Sequence, residues 1–276
     1  MGNVETFIFI CFCSWSLAGV FGAAEVSVSV SVMKGDSVTL HTNVSELQSD
    51  DIIDWMREDK LIIANVKNNE YEIKNNSPTN DVPDRSYEDR LELNHKTGSL
   101  TIKNITSQHE GTYILDIRGR HLISKNFTVT VHGGMKNVSV MTGESIILLS
   151  GVLEIREYDL ILWKFEDHLM AKISKRTNQF LLYDSAEGKF KGRLKLNREA
   201  GDLTISDSRS TDSGDYHLHM SNSEYTLQRT ISVSVKVSGL HPGYIALICV
   251  CVVFVPVLVA LVTYYCCKGK YHPQFL

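Results

Sequence analysis

Residues 98–117 read GSLTIKNITSQHEGTYILDI, and residues 201–220 read GDLTISDSRSTDSGDYHLHM. In each stretch a Leu-Thr-Ile segment follows a glycine, and a tyrosine with apolar residues at every second position follows another glycine. Side chains at alternate positions of a β-strand point to the same side, so this spacing predicts pairs of half-buried strands. Because the pattern occurs twice, the chain is predicted to repeat one folding unit.

The repeat extends to the segments that precede both stretches. A glycine opens the segment GDSVTLHTNV at Gly35 and GESIILLSGV at Gly143, and a lone tryptophan follows at Trp55 and Trp163. Both pairs are 108 residues apart, which predicts two tandem domains. Many short alternating segments, separated by turn residues, predict an all-β fold of sandwiches or barrels. The predicted domains are residues 25–132 and 133–238.

The composition of the 276-residue chain is that of a globular protein, with 43% hydrophobic and 22% charged residues. The net charge is -4, so the chain has no excess of Lys and Arg for phosphates, and nucleic acid is not expected as a partner. All six cysteines lie near the two ends, with none between Ser14 and Ile248. This excludes a disulfide framework, a zinc knuckle and a cysteine nucleophile from the middle of the chain.

The N-terminal segment is apolar and ends in small residues. Residues 7–24 read FIFICFCSWSLAGVFGAA, with Gly22 and Ala24 at the positions that precede a cleavage site. Residues 1–24 are therefore predicted to be a secretory signal peptide. A short buried helix is the alternative interpretation.

A second apolar segment lies near the C-terminus. Residues 245–263, IALICVCVVFVPVLVALVT, carry no charge and are long enough to cross a bilayer as a helix. Lys268 and Lys270 follow, so the C-terminus is expected in the cytoplasm and the protein in the plasma membrane as a single-pass type I protein. The predicted segments are a linker at 239–243, a transmembrane helix at 244–265 and a short tail at 266–276.

Two further interpretations concern this end of the chain. Ser238 and Gly239 are small residues before an apolar run, as a glycolipid anchor requires, although the polar ending KGKYHPQFL argues against one. Cys266 and Cys267 lie at the predicted inner boundary and form a possible palmitoylation site, with two unmodified thiols as the alternative.

As a set, the motifs of each repeat resemble the immunoglobulin variable-type domain. The set is a lone Trp, then Arg-Leu-x-Leu, then Leu-Thr-Ile, then Gly-x-Tyr, and it covers nearly all of both repeats. The resemblance implies two β-sandwiches with Trp55 and Trp163 in their cores. It also implies that Tyr113 and Tyr216 form the tyrosine corner of each domain.

The resemblance further implies an ion pair at one end of each sandwich. In the second copy this pair is Arg193 with Asp212. In the first copy Arg90 is present but His109 replaces the aspartate, which leaves Glu110 as a substitute partner.

The main departure from the family is the missing inter-sheet disulfide. A native bridge contributes about 2–5 kcal/mol, so packing must replace it here. An absent bridge in a variable-type first domain resembles the lymphocyte adhesion receptors of the signalling lymphocytic activation molecule (SLAM) type. The positions that match the two cysteines are Thr42 and Leu115 in the first copy, and Ser150 and Leu218 in the second.

The chain offers glycosylation sites but no catalytic motif. His217 and His219 point to one side of a strand, but no third ligand is evident, so no metal and no cofactor are expected. The sequence contains no nucleophile motif, Gly-rich phosphate loop or HExxH motif, so neither an enzyme nor a small-molecule substrate is expected. Five N-x-Ser/Thr sequons predict N-glycans at Asn43, Asn75, Asn104, Asn126 and Asn137.

The family resemblance implies a partner-binding surface on the outward face of the first domain. With Trp55, Tyr113 and Leu115 pointing inward, their neighbours along each strand point outward. Apolar groups among alternating charges suit a fast, weak and charge-steered contact. The predicted contact residues are Asp54, Met56, Ile114, Asp116, Arg118 and Arg120.

These features predict a membrane glycoprotein for recognition and adhesion between cells, as an immune-cell ligand or co-receptor. The expected partner is another immunoglobulin-like surface protein on an opposing cell, or a second copy of this chain. The tail has no signalling motif, because Tyr271 lacks an apolar residue three positions later. The alternatives are a homophilic structural adhesion protein and a regulator that blocks a related receptor on the same membrane.

Overall fold

The computed structural model describes most of the chain between Val26 and Gly269. The predicted signal peptide and the sequon residue Asn75 lie outside the described residues. The chain divides into two compact units, residues 1–134 with 223–227, and residues 135–222 with 228–276. The described residues are 26–68, 70–73, 87, 89–120, 122–134, 137–152, 154–183, 188–237 and 242–269.

The first unit contains two β-sheets. One sheet has the strand order β1-β9-β8-β3-β4-β5, in which β1 runs parallel to β9 and the other neighbours are antiparallel. In the other sheet β7 pairs with both β2 and β6. The strands are β1 Val26–Met33, β2 Ser37–Leu40, β3 Ile52–Arg57, β4 Ile62–Lys67, β5 Glu70–Ile73, β6 Leu91–Leu93, β7 Leu100–Ile102, β8 Gly111–Arg118 and β9 Ile123–His132.

The second unit contains the same two kinds of sheet. One has the order β14-β13-β12-β17-β18, with β10 parallel to β18, and the other has the order β11-β16-β15. Residues of β18 from Gln228 onward belong to this unit. The strands are β10 Asn137–Met141, β11 Ile146–Leu148, β12 Leu160–Phe165, β13 His168–Ser174, β14 Gln179–Leu182, β15 Leu194–Leu196, β16 Leu203–Ile205, β17 Gly214–Ser221 and β18 Tyr225–Lys236.

Alternation of apolar and polar residues explains why these segments form strands. Strand β1 reads VSVSVSVM, with Val30 and Val32 buried and the intervening serines exposed. Buried and less buried residues also alternate along β8, where Tyr113, Leu115 and Ile117 are inaccessible. A period of two places one side of each strand in the core and the other in solvent. The predicted all-β immunoglobulin-like fold is confirmed.

A single tryptophan lies at the centre of each core. Trp55 and Trp163 are fully buried, and each Nε1 donates a 2.8 Å hydrogen bond to a glycine carbonyl, Gly98 and Gly201 respectively. Trp55 packs against Phe127, with ring centroids 5.7 Å apart. Burial with a satisfied indole N–H is the favourable arrangement for this side chain.

Helix α1 spans Pro242–Gly269 near the C-terminus and includes Pro256. Within the described residues, no helix is long and apolar enough to cross a membrane. Side chains at 242–249, 253 and 267–269 of this helix lie outside those described. The transmembrane segment predicted at 244–265 is therefore not confirmed.

Candidate binding face of the first unit

Hydroxyl groups occupy the positions where the family has its first cysteine. The Thr42 hydroxyl donates to the Thr97 carbonyl at 2.7 Å and accepts from the Val44 amide at 3.2 Å. Thr42 is fully buried, so both bonds lie within the unit. A buried hydroxyl that both donates and accepts thus ties the segment after β2 to the turn before β7 without a covalent bond.

The second unit has the equivalent arrangement at Ser150. Its hydroxyl donates to the Ala200 carbonyl at 2.5 Å and accepts from the Val152 amide at 3.1 Å. Leu115 and Leu218, at the other two cysteine positions, are buried apolar side chains. In both units a hydroxyl and a leucine thus replace the two cysteines.

Both tyrosines predicted at a corner bond to backbone four residues earlier. Tyr113 donates to the His109 carbonyl and Tyr216 to the Asp212 carbonyl, each at 2.8 Å. Both side chains are fully buried, and this burial raises the pKa of each phenol above its ordinary value of about 10. These groups are therefore neutral structural donors.

The ion pair at the end of the sandwich differs between the two units. In the second unit, two guanidinium nitrogens of Arg193 donate to the two Asp212 oxygens at 2.7 and 3.0 Å, and Asp212 is fully buried. In the first unit, Arg90 donates instead to the Asn104 carbonyl at 2.5 Å.

The suggested pairing of Arg90 with Glu110 is wrong for the described residues. No ion pair joins them there, and the Glu110 carbonyl accepts from Arg57 at 2.8 Å. The Arg57 guanidinium also lies 4.8 Å from the ring centroid of Tyr113. Arg57 thus covers this end of the first unit through backbone and ring contacts, which the spacing of the motifs did not indicate.

Strand register brings most of the predicted contact residues together. Asp54 on β3 lies opposite Asp116 on β8, and Met56 lies opposite Ile114. Side chains directly opposite one another in antiparallel strands have Cβ atoms about 4.5–5.5 Å apart. We call the outward surface formed by Asp54, Met56, Ile114, Asp116 and Arg118 the β3–β8 patch.

Arg118 joins the two acidic groups of the β3–β8 patch. Its Nη2 donates to Asp54 Oδ2, and its Nε lies 3.4 Å from Asp116 Oδ2. The Arg118 side chain is 56% exposed, whereas Asp54 is 11% exposed. The arginine therefore pairs with both carboxylates and offsets one of their two negative charges, while its outer surface stays available to solvent or a partner.

Arg120 lies in the loop after β8 and does not share the contacts of the patch. Its backbone amide donates to Asp51 Oδ1 at 2.9 Å, and the residue is exposed. Asp51 is buried, so this bond fixes the loop to the start of β3. Arg120 therefore lies in a loop at the edge of the β3–β8 patch.

Strands β1 and β9 contribute a second part of the same outward surface, which the sequence reasoning did not include. Ser27 and Ser29 on β1 lie opposite Asn126 and Thr128 on β9. Asn126 in turn lies opposite Ile114 of the β3–β8 patch. The Val-Ser alternation of β1 was the available sequence signal, but the parallel pairing that brings it beside β9 is non-local.

The described sequon residues occupy two kinds of position. Asn43 and Asn104 are exposed and have φ angles of 62° and 47°, a left-handed conformation that asparagine tolerates well in turns. Asn137 is the exposed first residue of β10. Asn126 is half-buried within β9 and faces outward between β1 and β8.

The histidine pair lies on the outward side of β17. The described residues contain no group of three His, Cys, Asp or Glu side chains placed to hold a metal ion. His217 Nδ1 lies 3.1 Å from the Thr230 hydroxyl, and burial together with the charge of Lys164 lowers the pKa of His219. Of the palmitoylation candidates, Cys266 is free and exposed, and the side chain of Cys267 lies outside those described.

Solved structures similar to this chain include three immunoglobulin-like proteins. The chain is similar to the solved first immunoglobulin-like domain of human CD48 antigen, with 20% identity over 41% of this chain and 91% of that chain, and a TM-score of 0.35. It is similar to CD84, with 19% identity over 38% of this chain and 100% of that chain, and a TM-score of 0.33. It is also similar to murine CEACAM1b, with 17% identity over 77% and 100% of the two chains and a TM-score of 0.27.

The family comparison identifies the first domain. No curated protein sequence matches the chain. Residues 25–132 match the family model of the immunoglobulin V-set domain, the range predicted for the first domain. Residues 25–132 of the chain are thus an immunoglobulin V-set domain.

Proposed function

We propose that this chain is a cell-surface recognition protein whose V-set domain binds another immunoglobulin-like protein through the β3–β8 patch. The observation that carries the proposal is the arrangement of the patch, in which Met56 and Ile114 lie opposite each other beside Asp54, Asp116 and Arg118. An apolar centre with flanking charges of both signs suits a specific but weak contact.

Steering by charge explains why such a surface would act in recognition between cells. Mixed charges at the rim raise the rate of encounter with a complementary surface and disfavour mismatched partners. Two apolar side chains in contact supply only a small buried core, so a single-site complex would dissociate quickly. Many copies on two opposing membranes would compensate through avidity, which raises the overall affinity roughly 10²–10⁴-fold above that of a single site.

We also propose that the protein is a type I plasma-membrane protein with its V-set domain outside the cell, of the SLAM type of adhesion receptor. The support is the sequence, namely the apolar runs at 7–24 and 245–263 with Lys268 and Lys270 after the second. Alkaline carbonate extraction of cells that express the full chain tests the anchor. Retention in the pellet supports it, and release into the supernatant contradicts it.

The test of partner binding uses multimers of residues 25–240 on two sets of cells. One set expresses the full chain, and the other is a panel of leukocytes and epithelial cells that lack it. Binding to leukocytes that lack the chain supports a distinct receptor as the partner. Absence of binding to either set contradicts the proposed function.

Homophilic adhesion is the second candidate function. The β3–β8 patch presents both signs of charge, so a two-fold contact between two copies can place Arg118 of each against Asp116 of the other. Binding of multimers to expressing cells alone, and aggregation of those cells, would favour it. Co-precipitation with a related receptor from a single cell, without contact between cells, would favour a regulator on the same membrane.

A further inference from the structure

The outward surface of the V-set domain has two chemically different halves. The β3–β8 patch carries large charged and apolar side chains. The neighbouring strands β1 and β9 instead present small hydroxyl residues beside one sequon asparagine, and we call this surface the hydroxyl half. Its residues are Ser27, Ser29, Ser31, Asn126, Thr128 and Thr130.

The position of Asn126 connects the two halves. It lies in one cross-strand row between Ser27 on β1 and Ile114 on β8, and Met56 on β3 continues the row. Its chain neighbours Lys125 and Phe127 are buried on the other side of the strand. A glycan attached to Asn126 therefore emerges on the binding side of the domain, from a residue whose Cβ atom lies about 5 Å from that of Ile114.

We propose that an N-glycan on Asn126 lies over the hydroxyl half and borders the β3–β8 patch, so that it limits the surface open to a protein partner. The hydroxyl half suits this occupant because it is polar and its small side chains leave space for a sugar. A protein partner is then confined to the β3 and β8 side. The statement about the partner rests on the function proposed above.

Asn126 differs in this respect from the other described sequons of the domain. Asn43 and Asn104 lie in turns outside the strands of this sheet. A glycan at either position would leave the row from Ser27 to Met56 uncovered. Glycosylation at Asn126 would thus act on recognition, whereas glycosylation at the other two positions would not cover this row.

The coverage is tested without a partner. All six cysteines of the full-length chain are replaced by alanine, and Ile114→Cys introduces a single thiol. This thiol is then labelled with a PEG-maleimide of about 5 kDa, which is at least as large as an N-glycan. Thr128→Ala removes the sequon and keeps Asn126, whereas Thr128→Ser preserves the sequon. Glu92→Cys, on the outward side of β6 and 60% exposed, serves as the remote thiol.

The proposal predicts that Thr128→Ala raises the labelling rate at position 114 by about fivefold or more, since a bulky glycan is removed. Labelling at position 92 should not change, and Thr128→Ser should behave as the parent. An unoccupied Asn126, shown by no mass change on deglycosylation of that site, would overturn the proposal. So would an unchanged labelling rate at position 114 after glycan removal.

A second measurement separates this inference from the proposed function. Cells that express the full-length chain with or without Thr128→Ala are compared for adhesion to the cells that bind the parent chain. Ser45→Ala, which removes the Asn43 sequon, is the matched control. Stronger binding for Thr128→Ala alone is expected. If labelling at position 114 rises but no variant binds any cell, the coverage stands and the proposed function fails.

Discussion

Replacement of Thr42 by valine tests how the V-set domain holds together without its disulfide. Valine keeps the branched shape of threonine, so the change removes the hydroxyl without opening a cavity. Two bonds are lost, the 2.7 Å bond to the Thr97 carbonyl and the 3.2 Å bond from the Val44 amide. Because Thr42 is fully buried, no water can easily replace them.

The expected loss follows from these two bonds. Each intramolecular hydrogen bond contributes about 0.5–1.5 kcal/mol net, and a buried group left without a partner costs about 1–3 kcal/mol. Thr42→Val should therefore lower the free energy of unfolding of the domain by about 2–3 kcal/mol. For a domain of this size, each kcal/mol corresponds to about 4–8 °C in Tm, so a fall of about 10 °C or more is expected.

The assay is urea unfolding of residues 25–240, which exclude Trp15, followed by tryptophan fluorescence in a Trp163→Phe background so that Trp55 reports the first unit. Thr39→Val is the matched control, because Thr39 is half-buried and its hydroxyl forms a 2.8 Å hydrogen bond with the Thr101 hydroxyl. That control should lose less than about 1 kcal/mol. A Thr42→Val loss no larger than the Thr39→Val loss would refute the idea that the hydroxyl takes over part of the role of the disulfide.

Two further predictions concern the second unit. Asp212→Asn should lower the free energy of unfolding of the second unit by about 3–5 kcal/mol, because Arg193 keeps its charge in a buried site. Asp207→Asn, at an exposed position, is the control and should change little. Urea titration monitored by Trp163 compares the two variants, and equal effects would contradict the expectation. Burial and the charge of Lys164 lower the pKa of His219, so the unfolded chain takes up the proton first as the pH falls through about 6.5, and the stability of the folded unit decreases. His219→Gln should reduce the loss of stability between pH 7.5 and 5.5, and an unchanged loss would contradict this.

Much of the V-set domain could be predicted because its signals are local. The alternation around Tyr113 and Leu115 identifies the inward side of β8, and the same rule at Trp55 identifies that of β3. Once the inward side of each strand is known, Ile114 and Met56 are expected on the same outward face, whereas their direct pairing depends on the strand register that the structure shows. The family model of the V-set domain then matches the predicted range 25–132.

Other features were missed because they depend on contacts between distant parts of the chain. Arg118 binds Asp54, 64 residues earlier, and no spacing rule indicates that pair. Arg57 covers the end of the domain through the Glu110 carbonyl and the Tyr113 ring, a role that motif matching had assigned to a Glu110 side chain. The hydroxyl half likewise depends on parallel pairing of β1 with β9, whose segments are nearly 100 residues apart.

The most direct test of the central claim compares two charge reversals in multimers of residues 25–240. Asp116→Arg places a positive charge in the β3–β8 patch, and Glu92→Arg makes the same change on the outward side of β6. Both side chains are accessible, so both variants should fold, with thermal unfolding as the check. The account predicts that Asp116→Arg abolishes binding to partner cells and that Glu92→Arg binds like the parent. Full binding by Asp116→Arg would contradict it.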